Sequence, residues 1–310
     1  MNSQHKVNSY LFILVFIVGS NGTTIVNAQN FVDVVKLNHN NTLQTPFKNS
    51  SIYTNIAETD LELTLPLLVN IKTNFLTGFI FEKINTKLFE DETSETFSSI
   101  SLKLGMNKIH SEKWSGTYVL LPKLSSDFEH LTRRDFQIGV FALLKYKKND
   151  RTNYKVGLYS NTELFGPWVV PLVGIYYLSP SSQFEVNVIA PFLADFNYKV
   201  HRSIGVGLNY AGQVRTYHLN QVSATGNSGY VERATNEVTA YLKFNLTKSL
   251  ILQTKFGHSI GRHYRVYDND DQVSIGFPLV FIGDDRQQLN TDIEDGWVYQ
   301  VMLLYRFHKP

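Results

Sequence analysis

The sequence predicts an all-β protein, a transmembrane, antiparallel, up-and-down β-barrel of twelve to fourteen strands. Three observations carry that prediction. Many segments place an apolar residue at every second position, the connections between them run alternately short and long, and the stretch from Trp297 to Phe307 has aromatics at both ends. In that stretch Trp297, Tyr299, Val301, Leu303, Tyr305 and Phe307 share one face, because successive strand side chains point to opposite sides. Ten steps of about 3.3 Å make a strand of roughly 33 Å. A tilt of about 40° lowers its height to about 25 Å, the apolar band of an outer-membrane barrel.

The same period of two is clear in Phe136, Ile138, Val140, Ala142, Leu144 and Tyr146. It recurs in Ile204, Val206, Leu208 and Tyr210, in Val238, Ala240, Leu242 and Phe244, and in Ile100, Leu102, Leu104 and Met106. Strands are expected near 32–40, 58–68, 74–83, 97–106, 114–121, 135–146, 152–159, 168–178, 183–190, 193–199, 203–217, 234–245, 249–262 and 295–307. The connections 69–73, 107–113, 147–151, 179–182, 200–202 and 246–248 are short. Those at 41–57, 84–96, 122–134, 218–233 and 263–294 are long and polar. If the last strand ends in the periplasm, every short turn falls on that side and every long loop outside, as in outer-membrane barrels. A soluble β-sandwich shares the period of two but has no reason to alternate its loop lengths. Ala190-Pro191-Phe192 disturbs the pattern, since a proline interrupts the ladder there. That region is either a hairpin of the wall or an inward-folded piece, giving fourteen strands or twelve.

At the N-terminus, Lys6 precedes an apolar run from Leu11 to Val18, and Val26-Asn27-Ala28 precedes Gln29. This is the order of a secretory signal peptide, and the run is shorter than the roughly 20 residues of a spanning helix. Residues 1–28 are therefore expected to be the signal peptide and 29–310 a single barrel domain. With no cysteine there is neither a disulfide framework nor a lipidated anchor, so membrane attachment must come from the fold. Aromatics make up 13% of the chain, yet the mean hydropathy is only -0.15, as expected when apolar residues alternate with polar ones. A net charge of +2 without a basic tract gives no reason to expect nucleic acid, and a monomer is expected.

With the apolar set turned outward, Lys103, Lys145, Lys155, Arg215, Lys243, Lys255 and Arg306 point inward against Glu62 and Glu185. Lys103, Lys155, Arg215, Lys255, Glu62 and Glu185 are the candidate lumen-lining residues. A basic lumen favours anions, so a small passive pore with mild anion preference is one expectation. The other is a closed or structural barrel whose inward groups pair and fill the lumen, with outer loops free to bind a surface partner. Loop 218–233 is flexible by composition around Ala224–Gly229. Within loop 263–294, Val273–Ile282 is too apolar for a solvated tip and is expected either to fold into the lumen as a constriction or to pack against its neighbours.

Acidic residues gather in the expected outer loops: Glu90, Asp91, Glu92 and Glu95, then Asp268, Asp270 and Asp271, then Asp284, Asp285, Asp292, Glu294 and Asp295. Such oxygen ligands could bridge lipopolysaccharide through divalent ions. Asp268-Asn269-Asp270-Asp271 nevertheless lacks the glycine and distal glutamate of a calcium loop, so no metal site and no cofactor are expected. A lipid-modifying enzyme would need a serine hydroxyl within reach of an imidazole. His201 and Ser203 are the one pair two residues apart, at an expected periplasmic turn, while the adjacent His258 and Ser259 point to opposite faces. There is no G-x-S-x-G or H-E-x-x-H motif, and no enzyme is expected.

The Ala28-Gln29 junction, the serial alternating strands and the closing Tyr305-x-Phe307 resemble uncharacterised outer-membrane β-barrel proteins of Bacteroidetes. The resemblance spans the mature chain and implies an outer-membrane location but no chemistry. It also implies that Tyr305 and Phe307 act as an assembly signal, although His308-Lys309-Pro310 follow them. The partners it implies are barrel-assembly machinery, periplasmic chaperones, membrane lipid and lipopolysaccharide.

Overall fold

The computed structural model describes residues 31–70 and 72–308, so the expected signal peptide at 1–28 lies outside the described residues. The strands are β1 Phe31–Pro46, β2 Tyr53–Asn70, β3 Thr73–Thr86, β4 Glu95–Ile109, β5 Trp114–Ser126 and β6 Phe136–Lys147. They continue as β7 Thr152–Glu163, β8 Gly166–Leu178, β9 Phe184–Ala190, β10 Leu193–His201, β11 Ile204–Leu219 and β12 Gly229–Asn245. The last are β13 Leu250–Ser259, β14 His263–Asp268, β15 Ile275–Phe277, β16 Val280–Ile282 and β17 Trp297–His308. A 3-10 turn, Arg133–Asp135, precedes β6.

Consecutive strands from β1 to β13 pair antiparallel, and β17 pairs with both β13 and β1, closing the sheet. The wall therefore has fourteen strands, β1–β13 and β17. The segment around Pro191 is a wall hairpin, with Val173 opposite Ala190 and Leu193 opposite Ala211. Its proline sits in the turn, where no ladder N–H is required.

Alternation exists on this wall because one face meets lipid. Ile100, Leu102 and Leu104, Phe136, Ile138 and Val140, Val238 and Leu242, and Trp297, Tyr299, Leu303, Tyr305 and Phe307 are all exposed. Large apolar side chains exposed on strand after strand form a continuous belt of the kind that a bilayer covers. Among the described residues no helix is long and apolar enough to cross a membrane.

The rim carrying the start of β1 and the end of β17, here the lower rim, holds the β2–β3 connection and the connections 110–113, 148–151, 179–183, 202–203 and 246–249. The upper rim holds 47–52, 87–94, 127–135, 164–165, 191–192, 220–228 and 260–296. The expected parity of rims is thus kept, but the expected difference in length is not, since 164–165 and 191–192 are two-residue turns on the upper side. The second of these stands at mid-height, because β9 and β10 have 7 and 9 residues where β11 and β12 have 16 and 17.

That short hairpin has a large consequence. Beyond Ala211, β11 loses its neighbour on one side and turns into the barrel with β12 and β14. Thr216, Tyr217, His218 and Leu219 are buried in succession, as are Gly229 through Thr235, so no face of this part meets lipid. The regions expected as a long flexible loop at 218–233 and as one strand at 249–262 are thereby corrected. Only 220–228 remains as the loop, β13 stops at Ser259, and β14 restarts at His263 on the inner part of β12.

The inserted sheet is packed on both sides. Toward β2–β4, Tyr217, Leu219, Val231, Tyr264 and Val266 meet Ile56, Ile84, Phe97, Phe47 and Ile293. Toward β8, Tyr230 and Tyr267 meet Phe165, Trp168, Val170 and Leu172. Of the two expectations for 273–282, packing against neighbours is the one the structure shows. The segment forms the β15–β16 hairpin on the free edge of β8, with Gly276 opposite Trp168. A side chain at Gly276 would come within 2.7 Å of the Trp168 ring, which explains glycine there. Phe281 packs inward, while Leu279, Val280 and Ile282 are exposed.

Candidate functional site: the barrel interior

Below mid-height the interior is a polar vestibule. Lys36 and Lys103 clamp the Glu62 carboxylate at 3.1 and 2.6 Å. Lys155 donates to Asn187 Oδ1 at 2.6 Å and Lys255 to Asn209 Oδ1 at 3.0 Å. Asp195 accepts from Tyr241 at 3.1 Å and Asn209 at 3.3 Å, and Arg306 meets Asp33 at 2.7 Å. Glu185 lies opposite Asn197 in the β9–β10 ladder.

At mid-height the inserted sheet meets the wall through buried ions. Arg233 grips Glu58 with two bonds, 2.9 and 2.6 Å, and the Tyr264 hydroxyl donates to the same carboxylate at 2.5 Å. Arg215 Nε lies 3.0 Å from Glu82, which also accepts from Gln213 at 3.1 Å and Ser99 at 2.8 Å. Thr216 donates to Glu163 through its backbone N–H at 2.8 Å and its hydroxyl at 2.6 Å. Its carbonyl accepts from Ser125 and Gln137 at 2.7 and 3.2 Å. The bare edge of β11 is thus satisfied by side chains of β5, β6 and β7, as a buried backbone edge must be.

Above this belt the interior is capped. The Arg286 guanidinium meets Glu232 at 2.6 Å and Asp284 at 2.9 Å, and lies over Tyr267 at 4.4 Å and Phe281 at 5.0 Å. Arg286 holds the Asp284 carboxyl below its ordinary range by hydrogen bonding, as Arg265 does for Asp292. His218 Nδ1 and Asp135 Oδ1, 2.7 Å apart and both buried, tie the tip of β11 to the 3-10 turn.

The lumen-lining candidates thus fall in two zones. Lys103, Lys155, Lys255, Glu62 and Glu185 belong to the vestibule, whereas Arg215 belongs to the buried belt. The expected excess of inward positive charge is corrected, because Glu58, Asp60, Glu82, Glu163, Asp195 and Glu237 also serve the interior. Glu58, Asp60 and Glu62, spaced two apart on one face of β2, were the sequence clue to this acidic set.

The acidic residues of the upper loops are dispersed among partners. Asp270 meets Arg134 at 3.2 Å, and Asp295 accepts the backbone N–H groups of Gly261 and Arg262 and the Ser259 hydroxyl. His258 Nδ1 donates to the Ser259 carbonyl, so the hydroxyl and the imidazole face different partners. His201 and Ser203 occupy an exposed lower turn, where the contact is from the Ser203 backbone. Tyr305 and Phe307 stand on the outward face at the lower rim, 46% and 47% exposed, beside the closing seam with β1.

The family model "Domain of unknown function (DUF6268)" matches residues 69–272, more than half of the 310-residue chain. The chain belongs to this family. Among solved structures, the DUF6268 barrel is similar to the COG4313 outer membrane channel from Pseudomonas putida F1. Identity there is 9%, with 89% of this chain and 95% of that one covered and a TM-score of 0.47. The NanC porin shares 7% identity over 88% of this chain and 99% of its own, at a TM-score of 0.37. The outer membrane phospholipase from Salmonella typhi shares 9% over 91% and 94%, at 0.35. No curated protein sequence matches this one.

Proposed function

We propose that the DUF6268 barrel lies in the outer membrane, lower rim toward the periplasm, and passes small solutes through a path that rests closed. The exposed apolar belt supports the location, because a closed barrel with an apolar exterior is a membrane-spanning form. The observation that carries the gating is the chemistry of the contact between inserted sheet and wall. Arg233–Glu58, Arg215–Glu82 and Thr216–Glu163 join the two at mid-height. Above these contacts the sheet is held by apolar packing, whereas the buried ion pairs gain less, because desolvation offsets their attraction. The mid-height level is therefore the part of the boundary suited to parting and taking up water. Below the acidic belt, Lys155 and Lys255 hydrogen-bond to the amide oxygens of Asn187 and Asn209, and these two cations support a mild anion preference.

Planar-bilayer recording of the refolded protein under a salt gradient tests this reading. Long closures with brief anion-preferring openings are expected for the natural chain. Glu58→Gln with Arg233→Gln removes both charges and leaves polar side chains in their place, and should raise the open probability about tenfold, the effect of roughly 1.4 kcal/mol on gating. Silence from both proteins, each shown to be folded and inserted, would leave a structural barrel.

A further inference from the structure

Below the inserted sheet, between β3–β7 and the inward bend of β11, lies a cavity of about 220 Å³. Ile80, Leu121, Phe141, Tyr159, Phe192 and Val214 give it an apolar body. Lys123, Arg215 and Asn161 give it a polar end. Lys123 is 3% exposed, and its ammonium group has no hydrogen-bond partner among the described residues. The nearest carboxylate, Glu163, is 3.7 Å away, and its oxygens already accept from Thr216 and Asn161. Arg215 Nε is at ion-pair distance from Glu82 but outside hydrogen-bonding geometry, and Asn161 Oδ1 is an unmatched acceptor. A buried ammonium with unused donors is costly to keep, and native interiors rarely retain one without a use.

We infer that this cavity is a binding site for a small organic anion with an apolar body, of which an aromatic carboxylate is the simplest form. The carboxylate would take the Lys123 ammonium and Arg215 Nε–H, and the ring would lie among Phe141, Tyr159 and Phe192. A hydroxyl on the ring could donate to Asn161 Oδ1. The volume agrees, since a cavity of about 150 Å³ accepts a benzene ring, and the remaining space is that of a carboxylate. The inference goes beyond solute passage and does not depend on it, because a permanently closed barrel could still hold such a molecule.

The test is calorimetric titration of the folded protein in detergent micelles with sodium benzoate, 4-hydroxybenzoate and the uncharged benzyl alcohol. Saturable benzoate binding is expected, at least tenfold tighter than benzyl alcohol. Lys123→Met should weaken it more than tenfold. Ser101→Leu, which fills the cavity without removing a charge, should abolish it. Heat-modifiable gel migration establishes that each variant is folded. Equal binding of benzoate and benzyl alcohol, unchanged benzoate affinity in Lys123→Met, or no saturable benzoate binding by the folded natural chain would each overturn the site. A silent bilayer with intact benzoate binding would remove the channel reading and leave the site standing.

Discussion

The lower and upper halves of the barrel use the same strands under different rules. Below Gly212, β11 and β12 alternate between lipid and vestibule: Ile204, Leu208, Val238 and Leu242 are exposed, while Asn209, Thr239 and Tyr241 are buried. Above it, Tyr217 and Val231 pack against the wall of β2–β4, and the opposite face of β12 packs under Arg286. The cause is local. A hairpin that stops at Phe192 deprives the upper part of β11 of a wall partner, and the strand finds its partners inside instead.

The comparison can be broken most strongly at the ion pairs. Glu58→Ala leaves Arg233 buried and uncompensated, and should cost about 3–5 kcal/mol. Glu62→Ala, in the partly exposed vestibule, should cost about 1 kcal/mol or less, because Lys36 and Glu62 reach solvent. Guanidinium unfolding in micelles measures both, and equal costs would mean that the two halves are equally hydrated. Next in size, Leu104→Arg puts a charge on the lipid face and should cost about 2–4 kcal/mol if that position lies near the bilayer midplane. A negligible change in the same assay would remove β4 from the hydrocarbon band.

Deleting 272–282 takes the β15–β16 hairpin from the free edge of β8. The open probability should rise, but by less than in the Glu58→Gln/Arg233→Gln protein, because the inserted sheet remains; an unchanged current would show that the hairpin has no part in gating. The smallest effect concerns Arg265–Asp292 on the upper rim. Hydrogen bonding from Arg265 lowers the Asp292 pKa, so its stabilisation is present above the unfolded carboxylate value of about 3.9 and disappears as pH falls through the folded value. Asp292→Asn should therefore destabilise by less than about 1 kcal/mol at pH 7, and the difference from the natural protein should vanish near pH 2. A difference that persisted there would point to packing rather than charge.

Much of the wall was legible in the sequence because lipid on one side imposes strict alternation, and Phe136–Tyr146 and Trp297–Phe307 show it plainly. The inserted sheet was not legible for the same reason. Thr216-Tyr217-His218-Leu219 and Tyr230 through Thr235 are buried on both faces, so polar and apolar residues follow one another without a period. The interior acids were missed where strands run past their recognisable alternation: Glu163 ends β7 beyond the expected 152–159, and Glu237 sits where β12 turns inward. Lys123 was hidden by distance, since its surroundings are assembled from β5, β7 and β11, which no local pattern joins.

The seam between β1 and β17 also governs how the molecule comes into being. Every other wall pairing except β13 with β17 joins neighbours in the chain and can zip as soon as both strands are available. Phe31 pairs with His308 at this seam. Among the described residues its contacts have the greatest sequence separation and therefore the largest loop-closure cost. Until it forms, the barrel is an open ribbon with two unsatisfied backbone edges in contact with hydrocarbon. Ring closure is therefore the natural slow step, and an agent that shields those two edges would act at the seam rather than at the inserted sheet.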